Sequence, residues 1–93
     1  MNDHDICRRP RQKEGYRLEQ LDDELLLYHL GETTVVYFNQ TASLVWQLCQ
    51  GDRTVGEIID LLCAAYPEAA DRVRVDVSET MTHFLEARCI EWT

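Results

Sequence analysis

The spacing of apolar residues along this chain changes twice, and each change marks a new kind of element. Residues 1–15 have no apolar periodicity and contain Pro10 and Gly15, which predicts a flexible N-terminal tail ahead of one domain over residues 16–93. From Tyr16 the chain alternates. Tyr16 and Leu18 fall on one face of an extended segment, Arg17 and Glu19 on the other, which predicts an edge-like strand. The triplet Asp22-Asp23-Glu24 predicts a turn, because aspartate side chains bond to nearby backbone. LLLYHL, Leu25 to Leu30, is apolar nearly throughout and predicts the central strand of a small sheet. Gly31-Glu32 turns the chain again, and Thr33 to Phe38 predict a third strand. Three strands joined by short turns make an antiparallel meander.

After Phe38 the period lengthens to that of a helix. Asn39 or Thr41 can cap a first helix, since a short oxygen-bearing side chain accepts a free first-turn N–H. Ala42, Val45, Trp46, Leu48 and Cys49 recur at helical spacing, and Gly51 suits a left-handed stop. Thr54-Val55-Gly56-Glu57 reads as a capping box opening a second helix, with Val55, Ile58, Ile59, Leu62 and Tyr66 in one stripe and Pro67 ending it. EAADR is a polar connection, and a third helix is expected to start between Asp71 and Ser78. Its Val77, Met81, Phe84 and Leu85 stand at i, i+4, i+7 and i+8. Ile90 and Trp92 close the domain. The fold class expected is α+β: a three-stranded antiparallel sheet followed by three helices, the first two forming a helix-turn-helix.

Composition narrows the function. An apolar fraction of 45% with 28% charged residues is that of a globular chain, and 93 residues allow one small core. The net charge of −8 is uneven: residues 1–15 carry +1 and residues 16–93 carry −9. An acidic domain repels phosphate backbones, and the short basic run RRPRQK reads as a solvated tail. No stretch reaches the ~20 apolar residues of a membrane span, and the polar N-terminus is unlike a signal peptide, which predicts a cytoplasmic protein with no membrane partner. Cys7, Cys49, Cys63 and Cys89 form no C-x-x-C pair and are expected to be buried free thiols, without disulfides or a metal site.

Convergent reactive groups are missing from the pattern. His29 and His83 are single histidines, His4 lies in the tail, and no glycine-rich phosphate loop is present, so neither catalysis nor a cofactor is expected. A helix-turn-helix makes DNA the first rival partner, but Thr54 to Tyr66 holds no Arg or Lys, and its outward positions include Glu57 and Asp60. What stands out is the third strand, where Val35, Val36, Tyr37 and Phe38 are apolar on both faces. Helices on one side with the tail or a dimer partner on the other would account for that. So would a sheet edge that accepts an added peptide strand, with side chains entering a groove beside a helix. Met81 and Phe84 fit either the core or the wall of such a groove.

Within the segment LLLYHLGETTVVYFNQTASLVWQLCQGDRTVGEIIDLLCAAYP, the run Asn39-x-Thr41-Ala42, then Trp46-x-Leu48, Gly51-Asp52-x-Thr54 and Glu57-Ile58 resembles the signature of the PqqD-like family. DVSETMTHFLEARCIEW resembles it more weakly. These are the small peptide chaperones of ribosomal peptide modification, also called RiPP recognition elements. The resemblance implies a winged-helix-like fold that binds the leader of a precursor peptide as a fourth strand and delivers it to a modifying enzyme, such as a radical-SAM maturase or another tailoring enzyme or peptidase. Carried onto this chain, it places the leader along Thr34, Val35, Val36, Tyr37 and Phe38, with Thr80, Met81, Phe84 and Arg88 as the other wall. The family usually has a glycine after the third helix, where this chain has Cys89. The reading is therefore a non-catalytic leader-peptide chaperone, monomeric or weakly dimeric. A winged-helix nucleic-acid-binding regulator and a structural dimerisation module are its alternatives.

Overall fold

A computed structural model describes residues 3–22, 24–31 and 35–93. The expected meander is present. Strands β2 (Tyr16–Leu21), β3 (Glu24–His29) and β4 (Val35–Phe38) lie in that order in one antiparallel sheet, with β3 central. Thr33 and Thr34, expected in the third strand, lie outside the described residues. Register sorts the side chains into two faces. Leu18, Leu27 and Val36 stand opposite one another across the sheet, as do Gln20, Leu25 and Phe38. Leu27 and Phe38 are buried on this face, whereas Val35 and Tyr37 point the other way and are 50% and 71% exposed. The even apolar run of β4 therefore has one face on the core and one in water.

Three helices follow: α1 (Gln40–Leu48), α2 (Val55–Ala65) and α3 (Ala70–Ala87). Of the two possible caps of α1, Asn39 is the one used, its Oδ1 accepting from the Ala42 N–H at 2.8 Å. The capping box of α2 closes both ways. The Glu57 N–H donates to Thr54 Oγ1 at 3.1 Å, and the Thr54 N–H donates to Glu57 Oε1 at 2.9 Å. These bonds to the ionised form hold the Glu57 carboxyl below its usual range. α3 begins at Ala70, one residue before the expected window, because a single 3-10 turn over Pro67–Ala69 leads directly into it.

The N-terminal segment differs from the expected tail. Asp3–Cys7 form a 3-10 turn, and β1 (Pro10–Gln12) pairs antiparallel with β5 (Ile90–Trp92) in a separate two-stranded ribbon. Pro10 is among the fully buried side chains. The Gln12 and Lys13 N–H groups donate to the carbonyls of Cys49 and Cys89, and Gln12 Nε2 donates to Trp46 O at 2.6 Å. The Arg8 guanidinium lies 4.8 Å over the Trp92 ring. Residues 3–13 thus strap the end of α1 to the end of the chain.

The core joins all three helices to the inner sheet face. Val45, Val55, Ile58, Val77 and Met81 are fully buried, as are Cys49 and Cys89. Burial pushes the thiol of Cys49 up to about 12 and that of Cys89 up to about 11, which leaves both protonated and inert. Trp46 is the hub, with the rings of Phe84, Phe38 and Tyr16 at 5.7, 6.1 and 6.1 Å.

Helix α3 ends in a left-handed turn. Arg88 takes φ 58° and ψ 33°, its N–H reaching Leu85 O while the Cys89 N–H reaches Phe84 O. That pair of bonds is a Schellman motif, in which the left-handed position favours glycine. The special position is therefore Arg88. Cys89, where the family glycine was expected, is a buried side chain instead.

Candidate functional site

Strand β4 has β3 on one side, and its other edge is unpaired among the described residues. In an antiparallel strand alternate residues turn both N–H and C=O to the same side, so this edge offers free donors and acceptors. Beside it runs a groove of about 160 Å³ between β4 and α3. Its apolar lining comes from Val36, Phe38, Ala42 and Phe84, and its polar lining from Asn39, Thr80 and His83, with Tyr37 completing it. Phe38 and Phe84 lie 5.1 Å apart, centroid to centroid, so the apolar part is continuous with the aromatic core. Larger hollows lie elsewhere: about 570 Å³ over Pro67–Arg72, which adjoins another of about 360 Å³ over Ala65–Ala69, and about 480 Å³ at Arg11–Glu14 and Glu91. The first two are the surface of one turn and the last a polar notch beside the β1–β5 ribbon; none borders an open edge of the three-stranded sheet.

Five of the residues expected at the site from sequence line this one groove: Val36, Tyr37, Phe38, Thr80 and Phe84. Val35 is on the strand but on its outer face. Thr34 lies outside the described residues. Met81 is 0% exposed, so of its two readings the structure gives core. Arg88 sits beyond the end of α3, where its carbonyl accepts from the Tyr16 hydroxyl at 3.5 Å, and is not among the groove-lining residues. Sequence reasoning missed Asn39, Ala42 and His83. Asn39 was seen only as a cap and His83 only as a lone histidine. Yet His83 follows Thr80 by three residues, and neighbours at that spacing share a helix face.

Residues 24–90 match the family described as coenzyme PQQ synthesis protein D (PqqD). The chain belongs to the PqqD family. A curated relative, the PqqA binding protein of Rahnella aquatilis, is 33% identical to this PqqD-family chain over 86 residues, covering 89% of the chain and 83% of the relative. Among solved structures, TbiB1 in complex with the TbiA(beta) leader peptide superposes with a TM-score of 0.67 at 23% identity, covering 87% of this chain and 94% of TbiB1. At that identity the match speaks to the fold, and the winged-helix arrangement of sheet and helices is the one the PqqD-family resemblance implied.

Two further features bear on what the site can do. In helix-turn-helix proteins the N-terminal residues of the second helix approach base edges. Here that turn is covered: the Val55 N–H donates to Arg8 O, and a Cβ on Gly56 would lie 3.3 Å from Ile6 Cγ1 and from Ile6 O. Among the described residues no group of three or more His, Cys, Asp or Glu converges as a metal site would need, and no helix is long and apolar enough to cross a membrane.

Proposed function

We propose that the protein is a non-catalytic peptide chaperone, which takes the leader of a ribosomally made precursor as an added strand on β4 and presents it to a modifying enzyme. The observation that carries this reading is the open β4 edge beside a lined groove. Backbone bonds to the edge supply affinity that does not depend on side chains, while the groove admits alternate side chains of the peptide and supplies selection. In this proposal Val35, Val36, Tyr37 and Phe38 are the edge and Thr80, Phe84 and His83 the opposite wall, while Thr34 and Arg88 are assigned to the peptide from the sequence resemblance alone. The names of the relatives support the same reading, one a binder of PqqA and one a complex with a leader peptide.

A held leader keeps the core peptide near the enzyme at high effective concentration, which raises the modification rate without any chemistry by the chaperone. A radical-SAM maturase or another tailoring enzyme is the partner this mechanism calls for. Cytoplasmic residence is part of the proposal, supported by four cysteines that are all free thiols. The covered first turn of α2 and the net charge of −9 over residues 16–93 argue against the nucleic-acid alternative.

The direct test is titration of the amide-labelled protein with the synthetic leader of a short precursor encoded beside its gene. The largest shifts are expected along Val35–Phe38 and in Thr80–Phe84. Proline at Val35 and at Val36, one variant each, separates the two sides of the strand, since only one of those N–H groups faces the free edge. The variant that stays folded should lose binding. Full affinity in both folded variants, or shifts confined to residues 55–65, would overturn strand addition.

A further inference from the structure

We propose that the groove selects a basic strand: a peptide that alternates apolar and polar side chains and carries Lys or Arg, with no Asp or Glu, on the flank turned towards α3. This inference rests on the strand-addition reading and adds the chemistry of the occupant.

The charges that border the groove all come from one wall. Neither β4 (Val35–Phe38) nor α1 (Gln40–Leu48) contains an Asp, Glu, Lys or Arg. On α3, Thr80 and His83 line the groove. Asp76 precedes Thr80 by four residues, Glu79 precedes His83 by four, and Glu86 follows His83 by three, so all three carboxylates share the face that borders the groove. No Lys or Arg occurs between Val75 and Ala87 to offset them. Glu79 and Glu86 are exposed and Asp76 half-buried, and none of the three forms an ion pair among the described residues. The cations that flank this stretch are Arg72 and Arg74, of which Arg72 precedes Asp76 by one turn, and Arg88 past the helix end; none of them lines the groove, and Glu79 and Glu86 have no Lys or Arg three or four positions away on α3.

Dimensions agree with this assignment. From Asp76 to Glu86 the helix rises about 15 Å, close to the ~13 Å that a four-residue strand such as β4 spans. A peptide paired along β4 runs beside the α3 wall that holds Thr80 and His83, where Glu79 and Glu86 are the carboxylates closest in sequence, and its side chains on that flank recur every ~7 Å. An acidic flank would meet the like charge of Glu79 and Glu86 there, whereas a lysine or arginine finds a partner without leaving solvent. A second copy of this chain does not suit the site: its own β4 has no cation, and each copy carries a net charge of −8.

The test is selection from a random twelve-residue library displayed on its encoding RNA, against the full-length folded protein, followed by binding measurements on representative peptides. The enriched pool should gain Lys and Arg and lose Asp and Glu relative to the input. Affinity of a representative peptide should fall about fivefold in the double variant Glu79→Gln, Glu86→Gln, a loss in keeping with two exposed charge pairs. It should be unchanged in Asp60→Asn, Glu68→Gln, which removes the same charge from exposed sites away from the groove. An enriched pool without basic bias, or equal losses in both double variants, overturns the charge selection and leaves strand addition standing. Failure to enrich any pool, or binding that leaves the amides of β4 undisturbed, removes strand addition and this inference together.

Discussion

The C-terminus of α3 carries a sharp stability prediction. Arg88 holds φ 58° and ψ 33°, a left-handed conformation in which a side chain with a Cβ is strained. That strain is worth about 1–2 kcal/mol. Arg88→Gly removes it but also frees the unfolded chain, which costs about 0.4–1 kcal/mol. The balance is a gain of roughly 0.5–1 kcal/mol, or about 3–6 °C in Tm for a domain of this size. Differential scanning calorimetry on a two-state transition reads it directly. Arg88→Ala is the control, because it removes the guanidinium while keeping the Cβ, and its Tm should be nearly unchanged. Cys89→Gly should go the other way and lose about 1–2 kcal/mol, since Cys89 is fully buried and its N–H completes the turn on Phe84 O. A destabilised Arg88→Gly, or a stabilised Cys89→Gly, would refute this assignment of the left-handed residue.

Three further outcomes follow from the structure. Glu57 has its carboxyl held low by the Thr54 N–H and then the Thr54 hydroxyl, so the capping box contributes stability above the ordinary carboxylate range and loses it as pH falls through the depressed value. A Glu57→Gln variant should therefore flatten the acid limb of a Tm-against-pH curve, and an unchanged limb would count against the box. Iodoacetamide at pH 8 should label the exposed Cys7 quickly and leave Cys49 and Cys89 unmodified until the protein unfolds, as read by mass spectrometry; early labelling of either buried thiol would contradict their burial. Deleting residues 1–13 removes the β1–β5 ribbon and the bonds it makes to Cys49, Gly51, Val55, Cys89 and Thr93. At about 0.5–1.5 kcal/mol each these should cost at least ~2.5 kcal/mol, and an unchanged melting curve would restore the picture of a detached tail.

Much of the fold was legible because long elements repeat their signal. The alternation of Tyr16–Leu21, the run of Leu25–Leu30, the cap at Thr54 and the stripe Val77–Met81–Phe84 each depend on neighbours along the chain, and all four elements formed. The ribbon of Pro10–Gln12 and Ile90–Trp92 was not legible. A three-residue strand has no period to detect, and each of these acquires its partner from about eighty residues away. The left-handed turn at Arg88 was hidden for a related reason. Its conformation is set by the Phe84 and Leu85 carbonyls closing on the helix end, while its residue type points elsewhere.

The candidate site divides along the same line. Its floor could be read from sequence because it is also core: Phe38 and Phe84 are 8% and 1% exposed and both pack on Trp46, so the apolar pattern that builds the domain marks them as well. For that reason truncating either ring cannot separate a binding role from a folding role, as the loss of packing alone is worth about 3–5 kcal/mol. The rim is where function and stability come apart. His83 is exposed, and Glu79 and Glu86 contact nothing charged among the described residues, so changing them leaves the core intact. Such positions carry no hydrophobic signal and became visible only once β4 and α3 were set side by side. On the strand-addition proposal, selectivity for a peptide falls to these residues and the strength of the hold to the backbone of β4.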